Sequence, residues 1–212
     1  MKLYSFFNSS TSFRVRIALA LKGLPYEYAA VNLRAGEQGA EEYRALSPAA
    51  IVPTLVDGEV KLTQSLAIID YLDATYPAPR LVPQDPLERA RVLEIAQTIA
   101  CEIHPINNIR VLKYLSGPLK VSEADKSAWY AHWVEEGLGA VEQLLAARPR
   151  SSYCVGEAPT LADCCLVPQV ANAQRMGCDL SRFERVMAVV EHCMAQPAFI
   201  AAAPSNQPDY VG

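Results

Sequence analysis

Four prolines fall within ten residues at Pro77, Pro79, Pro83 and Pro86. Proline removes a backbone donor and its ring clashes with the preceding helical turn, so neither a helix nor an inner strand can run through this stretch. It reads as an inter-domain linker, with a first domain expected over 1–80 and a second over 87–212. The two sides of the linker carry different periodicities. Before it, residues 2–6 suit a short strand, a polar turn covers Asn8 to Ser12, and Phe13, Ile17, Leu21 and Leu24 recur at helical spacing with Gly23 as a stop. A second strand is expected over 26–33 and a short helix over 38–46. Val52 to Val56, Asp57-Gly58 and Val60 to Leu62 make a hairpin, and a further helix opens at Gln64-Ser65 and runs to Tyr76. The order β-α-β-α-β-β-α is that of a compact α/β unit with mixed strand directions. Beyond the linker every segment is helical: 87–115, 123–147, 160–176, 181–195 and 196–203, with breaks at Gly117-Pro118, Pro149, Gly156 and Gly177.

Composition narrows the function. Hydrophobic residues make up 51% of the chain, yet charges interrupt them everywhere and no run approaches the ~20 apolar residues of a membrane span. The start Met-Lys-Leu-Tyr-Ser-Phe-Phe lacks the apolar core of a secretory signal, so a cytoplasmic protein is expected. The net charge is -4, and residues 1–80 carry 8 basic and 8 acidic residues, which leaves no nucleic-acid footprint. Cys101, Cys154, Cys164, Cys165, Cys178 and Cys193 contain no C-x-x-C pair and read as buried, reduced thiols. His104, His132 and His192 are scattered, so no metal is expected.

Three places could carry chemistry. Ser9-Ser10-Thr11-Ser12 opens a helix, where unpaired N–H groups and the positive end of the helix dipole favour an anion and a hydroxyl could donate to a thiolate; one of these residues could equally just cap the helix. Val52-Pro53 precedes a strand, either as an ordinary strand-initiating proline or as a cis turn whose backbone pairs with an extended ligand. Gln64-Ser65 could cap the next helix or hold a carboxylate there. Thr160 and Asp163 form a capping box, assigned to folding. Trp129 and Trp133, four apart, are expected to pack together.

In this order, and with long matching strings at 9–23 (S-S-T-S-F-R-V-R-I-A-L-A-L-K-G), 45–55, 64–72 and 165–173, these features resemble the glutathione transferase superfamily and most closely its zeta class. The resemblance covers nearly the whole chain. It implies a thioredoxin-like N-terminal domain with a mixed four-stranded sheet, an all-α C-terminal domain, glutathione as cofactor and a homodimer. It also implies isomerisation of a maleyl keto acid, maleylacetoacetate or maleylpyruvate, to the fumaryl form, a small dicarboxylate being the substrate. The family's alternatives are a transferase that conjugates or dehalogenates small electrophiles and a non-enzymatic interaction protein on the same fold.

Residue by residue, Ser9 matches the catalytic serine, with Ser10 and Thr11 beside it where the family often reads Ser-Cys. Val52 would pair with the cysteinyl backbone of glutathione before a cis Pro53, Gln64 and Ser65 would hold its γ-glutamyl end, and Gln38 and His104 would make further glutathione contacts. Arg110, Asn108 and Arg175 would meet the substrate. His104, Asn107 and Arg110, three apart, are expected on one helical ridge, which is either a solvated face or the wall of a cleft. Asn8 stands where relatives usually carry Arg. A free thiol with pKa of about 8.5 is mostly protonated at neutral pH, so the first demand on such a site is to stabilise thiolate.

Overall fold

The computed structural model describes residues 1–211. The chain divides into two compact units, Met1–Val82 joined by the chain from Met194 onward, and Pro83–Cys193. The expected second domain reached residue 212; in the structure the stretch after Cys193 packs with the first unit instead.

The first unit is built on a four-stranded sheet of β1 (Lys2–Ser5), β2 (Glu27–Ala30), β3 (Thr54–Asp57) and β4 (Val60–Thr63), in the order β2-β1-β3-β4. β1 and β2 are parallel because helix α1 (Ser10–Leu21) carries the chain across between them. β3 runs antiparallel to β1, and β3 and β4 form the expected hairpin with Asp57 opposite Val60. The turn needs a left-handed residue, and Gly58 supplies it at φ +58. The short helix expected over 38–46 is a 3-10 turn at Glu37–Gly39 followed by one turn of helix α2 (Glu41–Arg44), and α3 covers Ser65–Thr75. Leu3, Phe13, Val15, Ile17, Leu19, Leu55, Ile68, Ile69 and Leu72 form the core. Each such side chain is worth about 1.5–3 kcal/mol for its removal from water. α1 packs on α3 and on the C-terminal helix α9 (Pro197–Ala202) as well, so it is covered on nearly every side and even Arg14 and Arg16 are buried.

The second unit is all helix: α4 (Pro86–Gln97), α5 (Ile109–Ser116), α6 (Glu123–Ala146), α7 (Leu161–Arg175) and α8 (Glu184–Met194), the last ending at the unit boundary. α4 starts where Asp85 accepts hydrogen bonds from the N–H groups of Leu87 and Glu88, with Pro86 in the first turn. α7 is buried along its first ten residues. At its start Asp163 accepts from Thr160 N and Oγ1, which is the expected capping box.

The single helix expected over 87–115 is broken. After α4 the chain widens into a π-helical turn over Thr98–Ile103, with His104 N donating to Ile99 O at 3.0 Å, and α5 starts only at Ile109. Pro105 is where helical hydrogen bonding cannot continue, because it has no N–H to donate, although His104 before it still holds helical dihedrals at φ -60 and ψ -44. α6 passes very close to this turn, since a Cβ on Gly137 would lie 2.2 Å from Ile103 Cγ1.

Candidate functional site

Ser9 sits in extended geometry immediately before α1, and its Oγ accepts a hydrogen bond from Ser12 N at 3.2 Å. It is the N-cap, as the helix needed. It also lies 2.9 Å from Thr11 Oγ1, and Thr11 Oγ1 donates to Val52 O at 2.9 Å. A hydroxyl has one proton, and a carbonyl can only accept, so Thr11 spends its proton on Val52 and the Ser9 hydroxyl donates to Thr11. Ser9, Thr11 and Val52 thus form one directed chain. Ser10, the first residue of α1, is buried.

The Val52–Pro53 peptide is cis. Val52 lies two residues ahead of β3 and outside its paired register, which leaves its backbone for an extended partner. Three side chains missed in the sequence hold the approach to it. Tyr43 Oη and Ser47 Oγ both donate to Ile51 O, at 2.7 and 2.9 Å, and Tyr43 Oη lies 3.0 Å from Thr54 Oγ1. Burial pushes the Tyr43 phenol above its ordinary pKa, so it remains a donor at neutral pH.

At the start of α3, Gln64 adopts φ 69 and makes no side-chain cap, so the first N–H groups of the helix keep no side-chain acceptor from it. Ser65 is buried and its Oγ accepts from Arg14 Nη1 at 3.3 Å. Gln38, in the 3-10 turn, is half-buried with Oε1 unpartnered among the described residues.

The loop that carries Ser9 is braced by groups that the sequence pattern did not single out. Arg16, buried under it, donates to Ser5 Oγ, Phe6 O and Phe7 O on one side and to Ala202 O on the other. Burial lowers its pKa to about 10, which still leaves it charged at neutral pH. Asp209 accepts from Phe7 N at 3.0 Å and from Tyr28 Oη at 2.6 Å, and the Tyr210 ring meets Phe7 edge-on at 5.5 Å. The one available signal was that α1 leaves no polar face wide enough to expose both Arg14 and Arg16.

In the second unit, Asn108 caps α5 by accepting from Arg110 N at 3.0 Å, and its Nδ2 lies 3.4 Å from His104 Nε2. The expected ridge of His104, Asn107 and Arg110 does not form. The break at Pro105 turns Asn107 inward, where it is buried and donates to Tyr130 O at 3.0 Å, while Arg110 is exposed. Arg175 lies in the last turn of α7, exposed, with Nη2 donating to Asn172 Oδ1. Trp129 and Trp133 meet edge-on, with 5.8 Å between ring centroids. Tyr130 is buried, and burial raises its phenol above the ordinary pKa, with the Arg175 charge pulling the other way. The thiols are not uniformly buried: Cys101 is exposed and Cys178 half-buried, the other four being interior. Among the described residues no cluster of three His, Cys, Asp or Glu could hold a metal.

The chain matches the model of the glutathione S-transferase N-terminal domain over residues 3–80 and that of the C-terminal domain over 110–197. It is 48% identical over 209 residues to a probable maleylacetoacetate isomerase of Vibrio cholerae, covering 98% of this chain and 97% of the relative. Among solved structures it is similar to a holo maleylpyruvate isomerase, a bacterial zeta-class glutathione S-transferase, at 47% identity and TM-score 0.98 over 100% of both chains. It is also similar to a maleylacetoacetate isomerase of Methylobacterium extorquens AM1 with bound malonate and glutathione, at 34% identity and TM-score 0.96 over 100% of both.

Proposed function

We propose that this chain, which belongs to the glutathione transferase family and to its zeta class, is a glutathione-dependent cis–trans isomerase that converts a maleyl keto acid, maleylacetoacetate or maleylpyruvate, to its fumaryl isomer. The observation that carries the reading is the directed chain from Ser9 through Thr11 to Val52, which joins a helix-start hydroxyl to the backbone before cis Pro53. The rest of the first unit suits the tripeptide. The Val52 backbone is available to an extended peptide, the start of α3 at Gln64-Ser65 suits a carboxylate, and the unpartnered Gln38 Oε1 suits a further polar contact. The Methylobacterium relative, with glutathione and the dicarboxylate malonate bound together, supports both ligand classes.

Glutathione, when bound, supplies a thiolate that adds reversibly to the electron-poor cis double bond and so frees it to rotate. The residues of the chain hold and tune the reactants. Ser9 donates to the sulfur once its proton swings away from Thr11, and the positive end of α1 favours negative charge beside it. Thr11 stays on Val52 and keeps Ser9 in place. Together a hydroxyl donor and a helix start can shift a thiol by ~2 units, or roughly 2.7 kcal/mol. Arg175 and Arg110 are the guanidinium groups for the substrate carboxylates, with Asn108 and His104 beside Arg110 on the segment that opens α5. Asn8, Ser9, Ser10 and Thr11 include no strong acid, which favours expulsion of the thiolate over protonation of carbon.

No helix among the described residues is long and apolar enough to cross a membrane. A cytoplasmic homodimer belongs to the same reading, and light scattering at micromolar concentration tests the dimer. The activity itself is tested by supplying a trace of glutathione. Many turnovers per glutathione, with stoichiometric trans product, are expected; one glutathione consumed per product would make the protein a conjugating transferase instead.

A further inference from the structure

Three cations are buried in the first unit, and two of them are fully answered. Lys22 Nζ donates to Asp73 Oδ1, Tyr76 O and Pro79 O at 2.7–2.8 Å, and every nitrogen of the Arg16 guanidinium has an acceptor. Arg14 is different. It is only 2% exposed, its one hydrogen bond is from Nη1 to the neutral Ser65 Oγ, and Nε and Nη2 have no partner among the described residues. A buried charge without a counter-charge is costly, and so is each buried donor without an acceptor. The place where Arg14 is directed is the start of α3, where Gln64 provides no side-chain cap and the helix presents its positive end. Because Ser65 Oγ already accepts from Arg14, its own proton remains to be donated outward.

We propose that Arg14 is a positioning residue for the α-carboxylate of the γ-glutamyl end of glutathione. Acting from behind Ser65, its guanidinium fixes the serine hydroxyl as a donor to that carboxylate and supplies the positive charge that the carboxylate neutralises. The bound carboxylate and the buried cation then stabilise one another through Ser65, so the first unit selects a ligand with an anionic γ-glutamyl end. This inference rests on the glutathione reading above and adds to it a residue beneath the surface of the site.

The test compares glutathione with its decarboxylated analogue, 4-aminobutyryl-cysteinyl-glycine, by calorimetry on the wild type, Arg14→Met and Arg14→Lys. The wild type should prefer glutathione by about ten- to a hundredfold, the range for one charge-assisted hydrogen bond. Arg14→Met should cut that preference about tenfold, to what the start of α3 and the Ser65 hydroxyl hold alone, while leaving the affinity for the analogue unchanged, and Arg14→Lys, which keeps the charge without the planar fork, should restore part of it. An undiminished preference in Arg14→Met, or an equal loss of both ligands, overturns the proposal in favour of a packing role. A wild type that binds no glutathione overturns the glutathione reading first and the proposal with it. Should Arg14→Met not fold, the Arg14 Nε–H resonance of the wild type decides: it should shift with glutathione and not with the analogue, and no difference between the two ligands overturns the proposal.

Discussion

The first unit buries three cations and a single anion, Asp73, which is paired with Lys22, whereas the second buries an anion, Asp163, with no cation beside it among its hydrogen-bond donors. Lys22, Arg14 and Arg16 all lie on α1 or at its end, each turned to a different part of the unit: the proline-rich stretch, the start of α3 and the loop that carries Ser9. In the second unit Asp163 is wholly buried at the start of α7 and accepts from Cys154 N, Thr160 N and Thr160 Oγ1 at 2.7–2.8 Å. The difference lies in what each charge organises. Asp163 holds a helix start and an adjoining loop, a purely structural task met by three local donors. The cations of the first unit reach across long sequence separations to fix the backbone around the proposed glutathione site. Full coordination marks a charge as structural, and the incompletely coordinated Arg14 is the one beside the expected carboxylate.

The largest effects should come from removing the fully coordinated charges. Lys22→Met strands the Asp73 carboxylate, although that group also accepts from Leu81 N and Val82 N, and Asp163→Ala strands three buried donors. Each should cost about 3–5 kcal/mol in urea unfolding; losses below a third of that would mean that these networks carry less of the stability than their coordination implies. Asp163 also carries a pH signature. Burial raises its carboxyl above the ordinary value, against the pull of its hydrogen bonds, so the folded state holds the proton more tightly than the unfolded one. Its protonation therefore contributes stability that is present below the unfolded pKa and is lost as pH rises through the folded one, where the buried carboxyl must ionise. The stability difference between wild type and Asp163→Asn should accordingly shift against the wild type as pH is raised through that window. A difference that grows with pH would reverse the assigned direction.

Next in size is the brace on the Ser9 loop. Asp209→Ala leaves Phe7 N and Tyr28 Oη without their acceptor, for an expected loss of about 1–3 kcal/mol. Amide exchange should accelerate at Phe7 and Ser9 before the rest of the sheet, whereas uniform acceleration would make the tail a general stabiliser rather than a brace.

How much of this was legible depends on how local the cause was. β1, the polar turn, α1 and the Asp57-Gly58 hairpin each announce themselves within a few residues, through a turn residue, a cap or a switch of period. Ser9 was legible as a helix start because capping is a local act, and Thr160 with Asp163 for the same reason. The break at Pro105 was written in the sequence, yet the apolar spacing of 87–115 continues through it and hid the π-helical turn. Arg16, Asp209 and the Tyr43–Ser47–Thr54 network were not legible at all. Their partners lie 4 to 202 residues away, and an isolated charge or hydroxyl in a sequence looks the same whether it faces water or a buried carbonyl. Arg110 and Arg175 were brought in by family resemblance, and in the structure both are exposed.

Ser9→Ala tests the two tasks of one hydroxyl. Because Ser9 is itself the cap, the substitution should cost about 1 kcal/mol of stability. Turnover should fall by about ten- to a hundredfold, and the pH at which activity rises should move upward, since thiolate loses a donor. A stability loss with an unchanged pH profile would leave Ser9 as a cap only and move the donor role to Thr11.

The smallest effect expected, and the one that separates the two units most cleanly, is that of alkylating the protein's own thiols. All six cysteines belong to the second unit and none to the unit that would hold glutathione. Burial pushes Cys154, Cys164 and Cys193 well up from the ordinary thiol range and raises the half-buried Cys178 as well, so these sulfurs stay protonated at neutral pH, whereas Cys101 is exposed on the π-helical turn. Since the thiolate is the reactive form, a neutral alkylating reagent at pH 7 should modify Cys101 first, Cys178 more slowly, and the four interior thiols only as fast as the second unit opens. Mass spectrometry of partly modified protein would show that order. The singly modified protein should retain its turnover, because the reacting sulfur is carried by glutathione and not by the chain. Activity lost in proportion to Cys101 modification, and spared in Cys101→Ser, would instead place either a protein thiol or the turn that carries it at the substrate.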